Sequence, residues 1–282
     1  MQAMKKGTLF ITATPIGNLE DMTLRAIRVL KEVDLVAAED TRRTGMLLKH
    51  FGIERPLTSL HDHNEREKSS LIINRLLQGS DVAYVSDAGT PGISDPGYLL
   101  VRSAAEEGLP VVAIPGPSAV IAALSVSGLP VESFTFYGFP PARPARRRRF
   151  LLSISDESKT MVFFESPRRL ASTLRDMLDI FGNRPMTLSR EITKLHEETR
   201  RGPIARILEE VTEAPPKGEI TLILAGKEEE PLQCNPEEIR FRYDELTAAE
   251  AVSTRDAAAR IALETGLSKK AVYGMILDYI KQ

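Results

Sequence analysis

Short apolar runs alternate with helical patterns along the first two-thirds of the chain, and this alternation constrains the fold more than any other feature. TLFITAT (8–14), VAYVSD (82–87) and VVAIPG (111–116) are typical of buried strands. Amphipathic stretches such as MTLRAIRVLKEV (22–33) and NEREKSSLIINRLLQG (64–79) lie between such runs. This order predicts βαβ units around a mostly parallel sheet that helices cover on both faces. Ligands of such sheets bind outside the carboxyl ends of the strands.

A second α/β region begins where the texture of the sequence changes, near residue 130. SFTFYGF (133–139), TMVFFES (160–166) and GEITLILAG (218–226) are predicted strands, and helical patterns separate them. The 282 residues are enough for two domains of ordinary size and a smaller third one. We therefore predict an N-terminal α/β domain over 1–125, a second α/β domain over 126–228 and a small helical domain over 237–282.

The helical tail follows a polar linker, GKEEEPLQCNP (226–236). Its sequence resembles a helix–turn–helix, in which Gly266 ends one helix and Ser268 caps the next. Residues 237–282 hold 7 basic and 8 acidic side chains, so the tail is not strongly basic. A three-helix cap or dimer element and an RNA-binding element both stay open.

Composition excludes several classes of site. The net charge of −2 shows no general basic excess, so contact with nucleic acid needs local positive charge. The single cysteine, Cys234, rules out an internal disulfide framework and has turn-like flanks that suggest no catalytic role. His61-Asp62-His63 is better explained as a surface turn than as a metal site, and we predict no metal. No run approaches the ~18–20 apolar residues that span a bilayer, which predicts a cytoplasmic protein without membrane attachment.

The stretch SDAGTPGISDPG (86–97) directly follows a predicted strand and is rich in glycine and proline. It matches neither a Walker A loop nor a G-x-G-x-x-G dinucleotide fingerprint. Its glycines permit positive φ and a close approach of the backbone to a flat ligand. Three such turns (14–19, 87–97 and 115–119) follow three strands, so we expect them at one sheet edge, where they would form a ligand site.

These segments, in this order, resemble the RNA-modifying branch of the tetrapyrrole methylase superfamily. The resemblance rests on ITATPIGNLEDMTLRA, AAEDTRRTGMLL, SDAGTPGISDPG, PGPSAV, YGFPP, FFESPRRL, LSREITKLHEE and KGEITLIL. It implies two α/β domains with S-adenosylmethionine (SAM) in the cleft between them. The implied reaction is 2′-O-ribose methylation of a cytidine, position 1402 in 16S rRNA numbering, within the small ribosomal subunit. It also implies a homodimer.

Two alternatives stay open. A small-molecule, tetrapyrrole-like SAM methyltransferase shares the fold, but porphyrin-modifying relatives carry Gly-Asp-Pro where this chain has Gly89-Thr90-Pro91. A non-enzymatic nucleic-acid binder that uses the helical tail would leave the glycine loops unexplained.

The resemblance also implies site residues. Predicted cofactor contacts are Pro15, Gly89, Thr90, Ile93, Ser118, Ala119, Phe164, Leu195, Gly218 and Thr221. A ribose hydroxyl is a weak nucleophile, so a general base is expected. Of the carboxylates Asp40, Asp87, Asp95, Glu165 and Glu191, we favour Asp87 and Asp40 because each ends a predicted strand; capping or pairing with Arg42 or Arg43 is the alternative.

Positive charge for RNA is concentrated in ARPARRRR (142–149), which we expect to be a loop beside the cofactor cleft. A run of like charge is often only a solvated face. Beside a cleft, however, five arginines would bind phosphates and make binding salt-dependent. The predicted RNA contacts are Arg143, Arg146, Arg147, Arg148 and Arg149, with Arg42 and Arg43 extending the patch.

Overall fold

The structure, a computed structural model, describes residues 5–228 and 235–281. It divides into two compact units, Met1–Lys227 and Glu228–Gln282. The first unit contains both sheets, so the predicted boundary at residue 125 falls inside it and stays a prediction. Cys234 lies outside the described residues.

The first sheet is entirely parallel, with the strand order β3-β2-β4-β1-β5. Its strands are β1 (Leu9–Thr12), β2 (Leu35–Ala38), β3 (Leu57–Ser59), β4 (Val82–Val85) and β5 (Val111–Ile114). All residues of β2 and β4 are buried, which is why these strands have continuous apolar runs. The predicted parallel sheet is confirmed.

Helices cover both faces of this sheet. They are α1 (Leu24–Glu32), α2 (Thr41–His50), α3 (Glu65–Leu77) and α4 (Tyr98–Glu106). The next helix in the chain is α5 (Ala119–Ser125). Successive strand residues point to opposite faces, so Val82 and Tyr84 pack with α3 and α4, whereas Ala83 and Val85 pack with α1 and α2. The carboxyl ends of the strands are left uncovered by these helices and bear the glycine-rich loops.

The second sheet is mixed and has the order β6-β7-β10-β8-β9. Its strands are β6 (Phe134–Phe136), β7 (Thr160–Glu165), β8 (Pro185–Arg190), β9 (Glu198–Pro203) and β10 (Ile220–Leu224). Helices α6 (Pro144–Ser153), α7 (Pro167–Phe181) and α8 (Ile204–Glu213) accompany it. Phe163 and Leu222 face one core of this sheet, whereas Val162 and Ile223 face α5. Helix α5, which follows β5 in the chain, therefore packs against the second sheet.

Three elements differ from the sequence-based expectation. Strand β3 was not predicted because its three residues, LTS, are partly polar and only half-buried, so they form no apolar run. Strand β9, ETRRGP, is a polar edge strand without the alternation that marks half-buried strands. The arginine run is not a loop, as predicted, but forms most of α6, with Pro144 in its first turn.

The second unit is a three-helix assembly of α9 (Pro236–Ala249), α10 (Thr254–Thr265) and α11 (Lys269–Ile280). Its own core includes Ile239, Ile261 and Ile276. As predicted, Gly266 ends α10 in the left-handed conformation, and the Ser268 side chain accepts a hydrogen bond from the Ala271 amide. None of the helices in the described ranges is long and apolar enough to cross a membrane. Those ranges also contain no cluster of three or more His, Cys, Asp or Glu side chains suited to a metal ion.

Candidate functional site

The glycine-rich loops meet at the carboxyl edge of the first sheet. Thr14 and Gly89 exchange two backbone hydrogen bonds, of 2.9 and 3.0 Å, which join the loop after β1 to the loop after β4. Gly116, in the loop after β5, lies so close to Ala13 that a Cβ at Gly116 would be 2.9 Å from the Ala13 Cβ. The three turns expected at one edge therefore lie together.

A buried carboxylate holds the far end of the loop that spans residues 86–97. Glu65 Oε1 accepts hydrogen bonds from the backbone amides of Gly97 (2.8 Å) and Leu99 (3.0 Å) at the start of α4. Gly97 has φ +125° and packs on Tyr84, so that a Cβ there would be 2.6 Å from the Tyr84 ring. The loop is thus fixed at both ends by close backbone contacts.

A cavity of about 400 Å³ lies between the loops of the two sheets. Eight predicted cofactor residues line it: Gly89, Thr90, Ile93, Ser118, Ala119, Phe164, Gly218 and Thr221. Its volume is within the range of small-molecule sites. The structure therefore brings most of the predicted set together, and their contact with a cofactor stays a prediction.

The two other predicted cofactor residues lie elsewhere. Pro15 lines a neighbouring cavity of about 370 Å³, together with Arg43 and Asp87. Leu195 is 94% exposed in the turn between β8 and β9 and does not line the cavity. A contact of Pro15 or Leu195 with the cofactor stays a prediction.

The residues present fit an adenosyl group. Gly89 has φ +77°, a conformation that favours glycine, and a Cβ there would lie 3.3 Å from Ile16 Cγ2. Both residues line the cavity, so a larger side chain at Gly89 would crowd this wall. Phe139 and Phe164 form an aromatic wall with ring centroids 5.5 Å apart, and Phe139 is 56% exposed. Sequence reasoning missed Ile16 and Phe139 as wall residues, although Phe139 lies within the quoted YGFPP motif. Bare backbone beside aromatic surface suits a flat, polar-edged ligand.

One side of the cavity is formed by Gly218 and Glu219, just before β10, and ion pairs connect them to the turn after β8. Lys194 Nζ lies 3.0 Å from Glu191 Oε1 and 3.1 Å from Glu219 Oε2. Gly218 approaches Glu191 so closely that a Cβ there would be 2.2 Å from Glu191 Oε1. The backbone amide of Glu219, and then Lys194, hold the pKa of Glu191 below its ordinary value. The negatively charged Glu191 therefore holds this turn in place, since it accepts a hydrogen bond from the Glu219 amide and pairs with Lys194.

The two favoured candidates for the general base are both engaged by arginines. Asp40 caps α2, and its carboxylate pairs with Arg42 at 2.8 Å, which lowers the pKa of Asp40 far below its ordinary value. Asp87 Oδ1 accepts from the Asp40 amide (3.1 Å), and Oδ2 pairs with Arg43 (3.1 Å). Capping and pairing, the alternative roles, are thus observed. A catalytic role for either residue stays a prediction.

Three carboxylates line the cavity of about 400 Å³, and neither Asp40 nor Asp87 is among them: they are Asp95, Glu165 and Glu219. Glu165 is buried and accepts from Thr173 (2.6 Å), while Arg169 pairs with it at 2.6 Å. Asp95 is half-buried. Burial raises its pKa to about 6, the negative charge of Glu39 adds to this, and a hydrogen bond from Ser86 opposes it. The three carboxylates of the wall therefore differ in their partners.

The structure divides the five arginines of 143–149 into two groups, those paired with aspartates of α7 and those that are exposed without such a pair. Arg147 is buried, with Nε 2.7 Å from Asp176 Oδ2, and Arg148 pairs with Asp176 and Asp179 at 2.9 and 3.0 Å. Burial corrects the prediction that Arg147 contacts RNA, because its guanidinium faces the protein. Arg143, Arg146 and Arg149 are exposed and three residues apart, and they have no ion pair within the described ranges. Arg143 is the N-cap of α6, and the other two lie on the helix.

The remaining predicted RNA contacts lie beside the smaller cavity. Arg42 has an 88% exposed side chain and Arg43 a 66% exposed one, although each is paired with an aspartate. Both stand at the start of α2 and face solvent near Asp87. Their contact with RNA stays a prediction.

Comparisons with known proteins agree with this architecture. The model of the tetrapyrrole (corrin/porphyrin) methylases matches residues 8–208. A relative from Halalkalibacterium halodurans named ribosomal RNA small subunit methyltransferase I is 45% identical over 96% of this chain and 94% of its own length. Relatives of the same name from Pseudomonas aeruginosa (46% identical, 98% of each chain) and Thermotoga maritima (50% identical, 79% of this chain, all of the relative) also match.

A solved structure shares the fold. Uroporphyrin-III-C-methyltransferase from Thermus thermophilus superposes with a TM-score of 0.56 at 21% identity, covering 78% of this chain and 94% of that one. The family match spans most of the first unit, and the relatives from Halalkalibacterium halodurans and Pseudomonas aeruginosa match nearly the whole chain. This chain therefore belongs to the tetrapyrrole methylase family, in the group of relatives named ribosomal RNA small subunit methyltransferase I.

Proposed function

We propose that this protein is a SAM-dependent methyltransferase that methylates the ribose 2′-hydroxyl of a cytidine, position 1402, of 16S rRNA in the small ribosomal subunit. The observation that carries the proposal is the cavity of about 400 Å³, whose glycine and aromatic wall belongs to a chain 45% identical to an rRNA methyltransferase. The nucleotide and the 2′-oxygen come from the family resemblance, and the experiment below tests them.

The cavity residues have distinct parts in holding the cofactor. Gly89 and Gly218 keep the walls free of side chains, while Phe139 and Phe164 offer apolar faces for the adenine. Bound SAM would supply an electrophilic methyl group on its sulfonium. The chain itself needs to exclude water and to hold the acceptor oxygen in line with that methyl group, because positioning lowers the entropic part of the barrier.

RNA binding would use the exposed arginines of α6. Arg143 follows Phe139, a wall residue, by only four positions, so the start of α6 is close to the cavity along the chain. Three guanidinium groups at the start and on the surface of this helix, without an acidic partner among the described residues, suit the evenly spaced phosphates of RNA. Each phosphate contact releases counterions, so affinity for rRNA should fall steeply with salt.

Further parts of the proposal concern the setting. The substrate would be the assembled small subunit, and the enzyme would work in the cytoplasm as a homodimer. Light scattering of the purified chain tests the dimer directly. Comparison of free 16S rRNA with assembled subunits tests the requirement for assembly.

The decisive experiment measures methyl transfer from radiolabelled SAM to small subunits that lack this modification. Free 16S rRNA and uroporphyrinogen serve as parallel acceptors, and the labelled nucleotide is mapped. Label on the ribose of one cytidine supports the proposal, and label on a base would contradict it. Label only on uroporphyrinogen would replace it with the small-molecule alternative. Absence of SAM binding would leave a nucleic-acid binder without this activity.

A further inference from the structure

Three basic side chains of the helical unit (α9–α11) gather around one depression in its surface. The depression has a volume of about 510 Å³ and is lined by Arg255 of α10 and by Lys269, Lys270 and Tyr273 of α11. All four residues are exposed, Tyr273 to 38%. The three cations form no ion pair with any described residue. These four residues, which we call the basic face, thus surround an aromatic ring with positive charge that the chain does not neutralise.

Charge is separated along α10. Arg255 lies in the first turn of this helix and Glu264 near its end, about 13 Å apart along the axis. Glu264 lines a different depression together with Glu238 and Glu245, where Arg242 pairs with Glu238 (2.9 Å) and Glu264 (3.0 Å). The nearly equal numbers of acidic and basic side chains in residues 237–282 therefore conceal an unneutralised basic face and a separate, mainly acidic depression.

The first turn of α11 has basic residues where a helix favours acidic ones. Lys269 and Lys270 directly follow the N-cap Ser268, and no acidic residue lies in this turn. Because the N-terminal end of a helix carries partial positive charge, the two lysines disfavour the helix. A bound anion would reverse this effect, since the helix end and both lysines would then face negative charge. The described contacts of the helical unit give no reason for two lysines at this place, whereas an anionic ligand does.

Tyr273 lies one turn after the two lysines, on the same side of α11. Side chains three and four residues apart are neighbours on a helix, so the ring stands beside Lys269 and Lys270. Cations bind phosphates, and an exposed aromatic ring stacks on a base; together they are the chemistry of sites for single-stranded RNA. Duplex RNA suits this face less well, because side chains cannot read its deep, narrow major groove.

We propose that the basic face binds an unpaired segment of rRNA; this inference rests on the proposed function, which makes rRNA the substrate. Tyr273 stacks on one base, and the three cations contact the phosphates on either side of it. The helical unit makes this contact, whereas the cavity for the cofactor is lined by residues of the first unit alone. The contact therefore adds affinity for the substrate, and its loss should raise KM for small subunits much more than it lowers kcat.

The test compares the double variant Lys269→Gln/Lys270→Gln of the full chain with the control Lys281→Gln. Lys281 follows the other end of α11 and is also exposed, so it controls for the general loss of positive charge. Filter binding of 16S rRNA is measured over a salt series. We expect the double variant to bind about tenfold more weakly or worse, and its slope of log affinity against log salt to fall by about 1.4, because each phosphate contact on a single strand contributes about 0.7. The control should keep the wild-type slope.

Further variants separate stacking from charge and binding from folding. Tyr273→Phe keeps the ring and should bind rRNA like the wild type, whereas Tyr273→Leu should lose about tenfold in affinity with an unchanged salt slope. Lys270→Glu places an acidic residue in the first turn of α11, which favours the helix. Its melting temperature should therefore not fall, although its affinity for rRNA should fall about tenfold or more. A parallel fall of melting temperature and affinity in Lys270→Glu would show a structural role and overturn the inference.

Methyl transfer to small subunits, measured with the same variants, separates this inference from the proposed function. Wild-type affinity and salt slope in Lys269→Gln/Lys270→Gln, or an equal loss in Lys281→Gln, would overturn the RNA contact and leave the methyltransferase intact. Weaker binding to subunits together with unchanged binding to free 16S rRNA would assign the basic face to a ribosomal protein instead. If the wild type methylates no ribose but the losses of rRNA binding occur as expected, the proposed reaction is overturned and the RNA contact stands.

Discussion

Replacing two neighbouring arginines of α6 by methionine should have opposite consequences, although the sequence treats them alike. Arg147→Met removes a guanidinium whose side chain is 4% exposed and whose Nε lies 2.7 Å from Asp176. Breaking a buried ion pair typically costs about 3–5 kcal/mol because the partner charge is stranded. Asp176 would keep its ion pair with Arg148 at 2.9 Å and is 13% exposed. We therefore expect the free energy of unfolding to fall by about 2–3 kcal/mol.

Arg146→Met is the matched control, because Arg146 is exposed and unpaired within the described ranges. Its stability should change by less than about 0.5 kcal/mol. Binding of rRNA should show the reverse order. Arg146→Met should reduce the slope of log affinity against log salt by about one, and Arg147→Met should leave it unchanged.

Urea unfolding followed by far-UV circular dichroism measures the first effect, and hydrogen exchange in α6 and α7 confirms its location within the two-unit chain. Filter binding over a salt series measures the second. Equal stability of the two variants, or loss of the salt slope only in Arg147→Met, would refute the division of the run into a structural arginine and exposed ones.

Three further predictions follow from the loop after β4. Gly89→Ala should weaken SAM binding at least tenfold by calorimetry, because the added Cβ meets Ile16 at 3.3 Å. Gly92→Ala is the control, since Gly92 has a similar φ of +83° but no atom within 4 Å of the added Cβ. It should share the backbone cost of about 1 kcal/mol and keep its affinity for SAM. Glu65→Ala should lower stability by about 2 kcal/mol in urea unfolding, since it strands two amides, and increase hydrogen exchange at the start of α4. The raised pKa of Asp95, about 6 against an ordinary 3.8, favours folding below pH 3.8 and loses this contribution as pH rises through 6. The free energy of unfolding of Asp95→Asn minus that of the wild type should therefore be larger at pH 8 than at pH 5, by about 1–1.5 kcal/mol after allowance for the partial exposure of Asp95. The same difference at both pH values would contradict the shift.

The sequence by itself determined the layout of the chain. Apolar runs with helical stretches between them specify buried parallel strands. A strand such as β2 or β4 is apolar at every position because both of its faces are buried. Glycine and proline after successive strands located the ligand edge, because strand direction places those turns together. Both inferences depend on local pattern and chain connectivity, and these are physical properties that sequence order carries.

Only the tertiary structure decided which charged side chains are free. Nothing in RRRR separates Arg147 from Arg146; the difference comes from Asp176, nearly thirty residues later, which α7 brings within 2.7 Å. The same holds for the carboxylates, where Arg42 and Arg43 engage Asp40 and Asp87. Asp95 is distinguished by burial and by acidic neighbours from three strand ends. Charge, pKa and availability depend on distances between residues far apart in the chain, and packing alone sets these distances.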